Sequence, residues 1–288
     1  GTEPAKPHFQ ENHAFYAGKE GKKLIAVELA PPLGSDDAKL MEAAHLLEGA
    51  GVDVVTFPDS PSGRTRADSV LVAEKVARET GLCVMPHLCC RDKNAIAMRS
   101  TFLGASINDI NNFLIITGDP IPVMARQVVK SVFNFDSVGL MRIADEMNSE
   151  ALKDSPLTYG GAINQSRRRI ESEIKRVQKK MEAGAEFFLT QPVFTAEDAE
   201  RLRRVKEETG ARILCGIMPL VSLQALAGHN VPLLTIVITL ENFSSGMATT
   251  AFVAYISSLC NVLYTATQYA LLSSLMSLAR DVFSATSG

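Results

Sequence analysis

Two ionisable side chains stand inside apolar runs where a charge is costly to bury: Glu28 in VELAPP and His87 in MPHLCC. A carboxyl held in such surroundings is a candidate general acid, because a dry setting raises its pKa toward neutrality. Other apolar runs end in polar residues as well. They are Thr56 with Asp59 past the turn, Thr117-Gly118-Asp119, Gly160-Gly161 leading to Asn164, and Thr190-Gln191. Each has a plain structural reading. A histidine after proline is commonly a satisfied core residue, Glu28 could pair with a core cation, Gly-Asp-Pro is a common turn, and Gln191-Pro192 can simply end a strand. Convergence separates the two readings: polar positions on different runs all fall where one end of a parallel sheet would gather them.

The runs that must position these residues are Leu24–Leu29, Val52–Phe57, Leu82–His87, Phe113–Thr117, Leu157–Ala162, Glu186–Thr190 and Arg212–Met218. Their near-continuous hydrophobicity predicts parallel strands buried on both faces. Amphipathic stretches lie between them: Asp37–Glu48, Thr65–Thr80 and Asn164–Ala183. In the last, Ile170, Ile174, Val177 and Met181 predict one apolar stripe, with Asn164 as N-cap and Gly184 as the stop. The same stretch carries Arg167, Arg168, Arg169, Lys175, Arg176, Lys179 and Lys180. These read as a solvated face supported by a Glu171–Lys175 pair, with one or two able to reach a diphosphate. Seven strand–helix units, with an eighth strand expected at Asn261–Thr265, predict an α/β fold, a (β/α)8 TIM barrel formed as a single domain over residues 22–288. Residues 1–21 read as an N-terminal extension or linker. The rival is an open doubly wound sheet, disfavoured because no Gly-rich dinucleotide fingerprint follows any strand.

Composition narrows the class. At 288 residues, 46% hydrophobic and 21% charged, the chain can build a large core without disulfides or metal. A net charge of −3 gives no footprint for nucleic acid. Five cysteines, Cys83, Cys89, Cys90, Cys215 and Cys260, lack framework or ligand spacing, which predicts a reducing cytoplasm and no metal site. Gly1 in place of Met reads as a piece of a longer protein.

The strand-end segments VELAPP, VVTF, PHLCC, LIITGDP, GGAIN, KKMEAGAEFF, LTQPVF and GIMPLVS resemble, in order and spacing, the methylenetetrahydrofolate reductase family. They are most similar to the reductase module of bifunctional homocysteine S-methyltransferase/methylenetetrahydrofolate reductase proteins, over residues 22 to 223. The resemblance implies FAD at the strand C-terminal ends, NAD(P)H as electron donor, and reduction of 5,10-methylenetetrahydrofolate to 5-methyltetrahydrofolate in one-carbon metabolism toward methionine. It implies Glu28 as the acid assisting ring opening, Asp119 beside the flavin and pterin, and Gln191 as the folate-binding amide. A carboxylate such as Asp119 suits stabilisation of the cationic carbon that ring opening creates. It places Thr56, His87, Thr117, Gly118, Ala162, Asn164, Glu173 and Lys180 on flavin-contacting positions, with Phe133 and Asn134 at the preceding helix. It further implies a homo-oligomer, a fused or associated homocysteine methyltransferase, and neither membrane nor nucleic acid as partner. Two positions depart from the family pattern: Leu223 stands where relatives carry an aromatic residue, and Tyr264 is followed by TATQY rather than an Asn-Arg pair. A non-catalytic flavin- or folate-binding module is the second reading. A barrel lyase or aldolase comes last, because no strand-end lysine offers a Schiff base.

Residues 213–288 differ from everything before them. Glu241, Arg280 and Asp281 are the only charged residues in these 76 positions. Met247–Ala279 has none and is long enough to span a bilayer, yet it is rich in Ser, Thr, Asn and Gln and has no basic flank. A span is therefore disfavoured. The stretch invites the reading that a frame error or misassigned side chains altered its residues, which an intact mass would test.

Overall fold

The computed structural model describes residues 14–217. The expected eighth strand, Leu223 and Tyr264 lie outside the described residues.

Among the described residues, seven strands alternate with six α-helices. The strands are β1 (Ala26–Glu28), β2 (Val54–Phe57), β3 (Val84–Cys89), β4 (Asn112–Ile116), β5 (Thr158–Ile163), β6 (Phe187–Pro192) and β7 (Ile213–Gly216). Each predicted run contributes one. All neighbours pair in parallel and in chain order, β1 through β7. Consecutive order is the (β/α)8 barrel arrangement; a doubly wound sheet would reverse direction at a switch point. The helices are α1 (Ala38–Glu48), α2 (Ser69–Thr80), α3 (Ala95–Ile107), α4 (Ser137–Ser149), α5 (Ile170–Glu182) and α6 (Ala196–Thr209).

Side chains alternate across each strand and divide into two layers. Val55, Phe57, Val84, Leu88, Phe113, Ile115, Tyr159 and Phe188 point outward into the core shared with the helices. Val54, Met85, Leu114 and Phe187 point inward, joined by Ala26, Ile116, Leu189 and Leu214. Glu28, Thr56, His87 and Ala162 sit two residues further along their strands than inner-layer positions, so the same alternation turns them inward.

Helix starts follow the caps rather than the apolar pattern. The Asp68 carboxylate accepts from the backbone N–H groups of Val70 and Leu71, so α2 begins at Ser69 and not at Thr65. The expected start of α5 at Asn164 is also corrected: the helix begins at Ile170. Asn164 Oδ1 accepts from Ser166 N at 3.1 Å, a local turn that competes with a helical start. The apolar stripe of α5 needs correction too. Ile170, Ile174 and Val177 are buried, but Met181 is exposed, and Glu173 and Lys180 take the remaining buried positions.

Residues 14–21 read as an extension, yet Phe15 is buried in the inner cluster. Its ring meets Phe187 edge-to-face at 5.0 Å, and its N–H donates to Asn112 Oδ1 at 2.9 Å. Tyr16 hydrogen-bonds Glu186 and receives the Arg212 guanidinium 3.6 Å from its ring centroid. Asn112, Glu186 and Arg212 all stand at strand N-terminal ends, so this segment closes that end of the barrel.

Candidate active site at the C-terminal ends of the strands

Glu28 is the last residue of β1 and pairs in register with Thr56 of β2, so both occupy one level of the inner face. Glu28 reaches solvent at the open end, while Thr56 is buried. Desolvation by the surrounding wall raises the Glu28 carboxyl pKa above 4.5, the direction a general acid needs. Water still reaches the group, so any further drying must come from whatever binds over it.

His87 lies deeper. Ser69 donates its hydroxyl to the His87 carbonyl at 2.8 Å, tying β3 to the start of α2. The ring is buried, its Nε2 has no hydrogen-bond partner, and burial lowers its pKa from 6.5 to about 4. The imidazole is therefore neutral at physiological pH, with one nitrogen left for a ligand.

Asp119 follows β4 by three residues and is exposed. Its Oδ2 accepts from Ser62 N at 2.7 Å, in the short 3-10 turn after β2. Gly118 carries a φ of +92°, and a Cβ there would lie 2.9 Å from the Cys89 Cβ, so the β4 loop approaches β3 as only glycine permits. Asp59 Oδ2 accepts from Cys89 N at 3.0 Å, and burial raises its carboxyl pKa. Thr117 faces outward, its Oγ1 accepting from Ser137 N at 3.3 Å at the start of α4. Glu28 and Asp119 thus stand at the same end of the sheet.

The β5–β6 side is organised differently. Asn164 follows β5 and is exposed, with its N–H donating to Glu173 Oε1 at 3.0 Å. Glu173 is buried, and its Oε2 lies 2.9 Å from Arg167 Nε. Lys180 Nζ donates to the Ala162 carbonyl at 2.6 Å, and burial lowers its pKa to about 8. Glu173 and Lys180 therefore support the backbone of β5 from the helix side and do not line the inner face. Glu171 pairs across to Arg204 of α6 at 2.8 Å, in place of the Lys175 partner that spacing suggests. Gln191 lies exposed at the end of β6, where a register irregularity precedes Pro192. Phe133 and Asn134 lie in the loop before α4, not on a helix; Asn134 Oδ1 accepts from Ala95 N at 3.3 Å at the start of α3.

A model of the methylenetetrahydrofolate reductase family matches residues 14–232. The chain belongs to this family. The 5,10-methylenetetrahydrofolate reductase of Buchnera aphidicola subsp. Schizaphis graminum is 26% identical over 226 residues, covering 74% of each chain. Among solved structures, an uncharacterised Clostridium thermocellum protein described as binding two copies of 5-methyl-5,6,7,8-tetrahydrofolic acid matches with a TM-score of 0.51. Its identity is 14%, over 92% of this chain and 85% of that one, a likeness that shows the fold. A different similarity covers a fifth of the chain. A Rickettsia typhi protein named as transporter AmpG 1 is 48% identical over 61 residues, and this chain spans 14% of that protein's length. Among the described residues, no helix is long and apolar enough to cross a membrane.

For a methylenetetrahydrofolate reductase family barrel, the motif residues alone understate the site. Sequence reasoning passed over Arg91 and Gln165, both buried. Gln165 donates its amide to the Gln191 and Pro192 carbonyls, each at 3.0 Å, and so fixes the end of β6. The signal for Arg91 was a cation directly after a fully buried run; for Gln165 there was none beyond its place next to Asn164.

Proposed function

We propose that the protein catalyses the flavin-dependent reduction of 5,10-methylenetetrahydrofolate to 5-methyltetrahydrofolate, with a reduced nicotinamide as electron donor. The observation that carries this reading is the placement of Glu28 and Asp119 at one open end of a barrel whose family is methylenetetrahydrofolate reductase. FAD, when bound, supplies the hydride. The residues fit such a group: the buried His87 Nε2 has no hydrogen-bond partner and offers a polar atom at the inner face. Thr56, His87, Gly118, Ala162 and Asn164 would hold it from the strand ends, with Phe133 and Asn134 contributing from the loop before α4, while Thr117, turned outward onto Ser137, supports the start of α4. Glu173 and Lys180 act behind them on the β5 backbone.

This chain's own work is protonation and charge stabilisation. Glu28, its pKa raised, delivers a proton to the folate nitrogen as the five-membered ring opens. Asp119 then faces the positive charge left on the one-carbon unit, and Gln191 offers its carboxamide to the pterin. A cytoplasmic setting and a neighbouring homocysteine methyltransferase follow from the same reading.

Stopped-flow measurement on the flavin-loaded protein tests it. Wild type should show flavin reduction by NAD(P)H and reoxidation by methylenetetrahydrofolate. Glu28→Gln should lose reoxidation by roughly a hundredfold or more while flavin reduction keeps its rate. Reoxidation at the wild-type rate in Glu28→Gln removes the acid assignment. No folate-driven reoxidation in wild type leaves the non-catalytic binding module.

A further inference from the structure

We propose that Arg91 is the positioning residue that fixes the Asp119 carboxylate at the open end of the barrel. The proposal rests on the role given to Asp119 above. Arg91 follows β3 by two residues and is only 2% exposed. Its guanidinium joins three loops. Nη1 donates to the Asp119 carbonyl and Nη2 to the Ser60 carbonyl, both at 3.1 Å. Nε and Nη2 hold the two Asp92 oxygens at 2.8 and 2.6 Å. The Arg91 carbonyl accepts from Val132 N at 2.7 Å, so the loop after β4 is held at a second point.

Asp119 is therefore held twice by one side chain. Its backbone is gripped directly. The donor to its carboxylate, Ser62 N, sits two residues from the gripped Ser60. Ser60 and Ser62 have φ of +43° and +56°, conformations that non-glycine residues keep only when their surroundings impose them. The planar five-donor fork can span these acceptors at once; a lysine ammonium on a flexible stem cannot. A metal would compete for the same place, since Asp59, Cys89 and Asp92 bring ligand atoms within 4.8 Å of one another. Arg91 already occupies both oxygens of Asp92, and burial pushes the Cys89 thiol up to about 12, so the cluster is a hydrogen-bonded anchor.

A double-mutant cycle on the flavin-loaded full chain tests the proposal. Arg91→Met should slow folate-driven flavin reoxidation by roughly tenfold to a hundredfold, with flavin reduction by NAD(P)H unchanged. Arg91→Lys should not restore it. In an Asp119→Ala background, Arg91→Met should change reoxidation by less than roughly twofold, because the group it positions is gone. Equal slowing of both half-reactions, or effects that multiply with Asp119→Ala, overturns the proposal and makes Arg91 a general structural residue. If Arg91→Met does not fold, Arg91→Lys runs the same cycle with the same two outcomes. A wild-type protein without folate-driven reoxidation defeats the functional reading instead. A crystal structure of the Arg91 variant then decides: loss of the Ser62–Asp119 hydrogen bond supports the positioning role, and its persistence overturns it.

Discussion

At the N-terminal end of the barrel Phe15, Phe187, Met85 and Leu114 fill the interior, whereas the last inward positions of β1, β2 and β3 include Glu28, Thr56 and His87. One step of two residues carries Ala26 to Glu28, Val54 to Thr56, and Met85 to His87, about 6–7 Å along each strand. The closed end gains from burial and satisfied contacts. The open end holds a carboxyl with a raised pKa, a neutral imidazole with an unused nitrogen, and serines at positive φ. The strained serines and the unpartnered imidazole lie at the open end, and the packing of the apolar end supplies stability that tolerates them.

Variants can break this contrast, and Gly160→Ala should do so most severely. Gly160 pairs with Leu114 and Phe187 in register, and a Cβ there would lie 2.3 Å from the Phe187 carbonyl oxygen and 2.4 Å from its ring. Neither backbone nor ring can yield cheaply, so the variant should lose roughly 3 kcal/mol or more. A urea midpoint equal to wild type would show that the inner layer is looser than the packing implies.

Phe15→Ala should cost about 3 kcal/mol, with turnover per folded molecule unchanged. Urea unfolding and steady-state turnover on the same preparation check both halves. A fall in turnover without a fall in stability would couple the two ends.

The strands were legible because parallel strands buried on both faces read as unbroken apolar runs, and all seven fell within two residues of expectation at each end. The gathering of Glu28, His87 and Asp119 at one end followed from knowing that strand C-termini share a side. Phe15 was illegible because a lone aromatic in HAFYAGKE has no period to announce that it enters a barrel. Asn164 misled because its side chain suits a cap equally well in a turn. Arg91 could be seen as a cation after β3, but its acceptors are carbonyls of Ser60 and Asp119, which only three-dimensional register brings together.

The pH dependence of stability sharpens the contrast at intermediate size. His87 titrates at about 4 in the fold and near 6.5 in the unfolded chain. Between those values the unfolded chain binds a proton that the fold refuses, so stability falls as pH drops from 6.5 to 4, by up to about 3 kcal/mol. His87→Asn should flatten that decline. Urea midpoints across this range for both proteins check it, and an unchanged slope would mean the imidazole is not desolvated as its burial implies.

The smallest effect should have the opposite sign. With the Glu28 carboxyl pKa raised above 4.5, the fold carries an ionisation penalty that is fully present at neutral pH and fades as pH falls through the folded value toward 4.5. Glu28→Gln removes the penalty, so this variant should melt slightly above wild type at neutral pH. The gain should stay well under about 1 kcal/mol because solvent reaches the group, and it should shrink toward zero near pH 4.5. Thermal melts at both pH values measure it. A melting temperature below wild type at neutral pH would mean that Glu28 stabilises the fold through an ion pair or hydrogen bond, and the carboxyl at the end of β1 would then belong with the structural residues rather than with the chemistry.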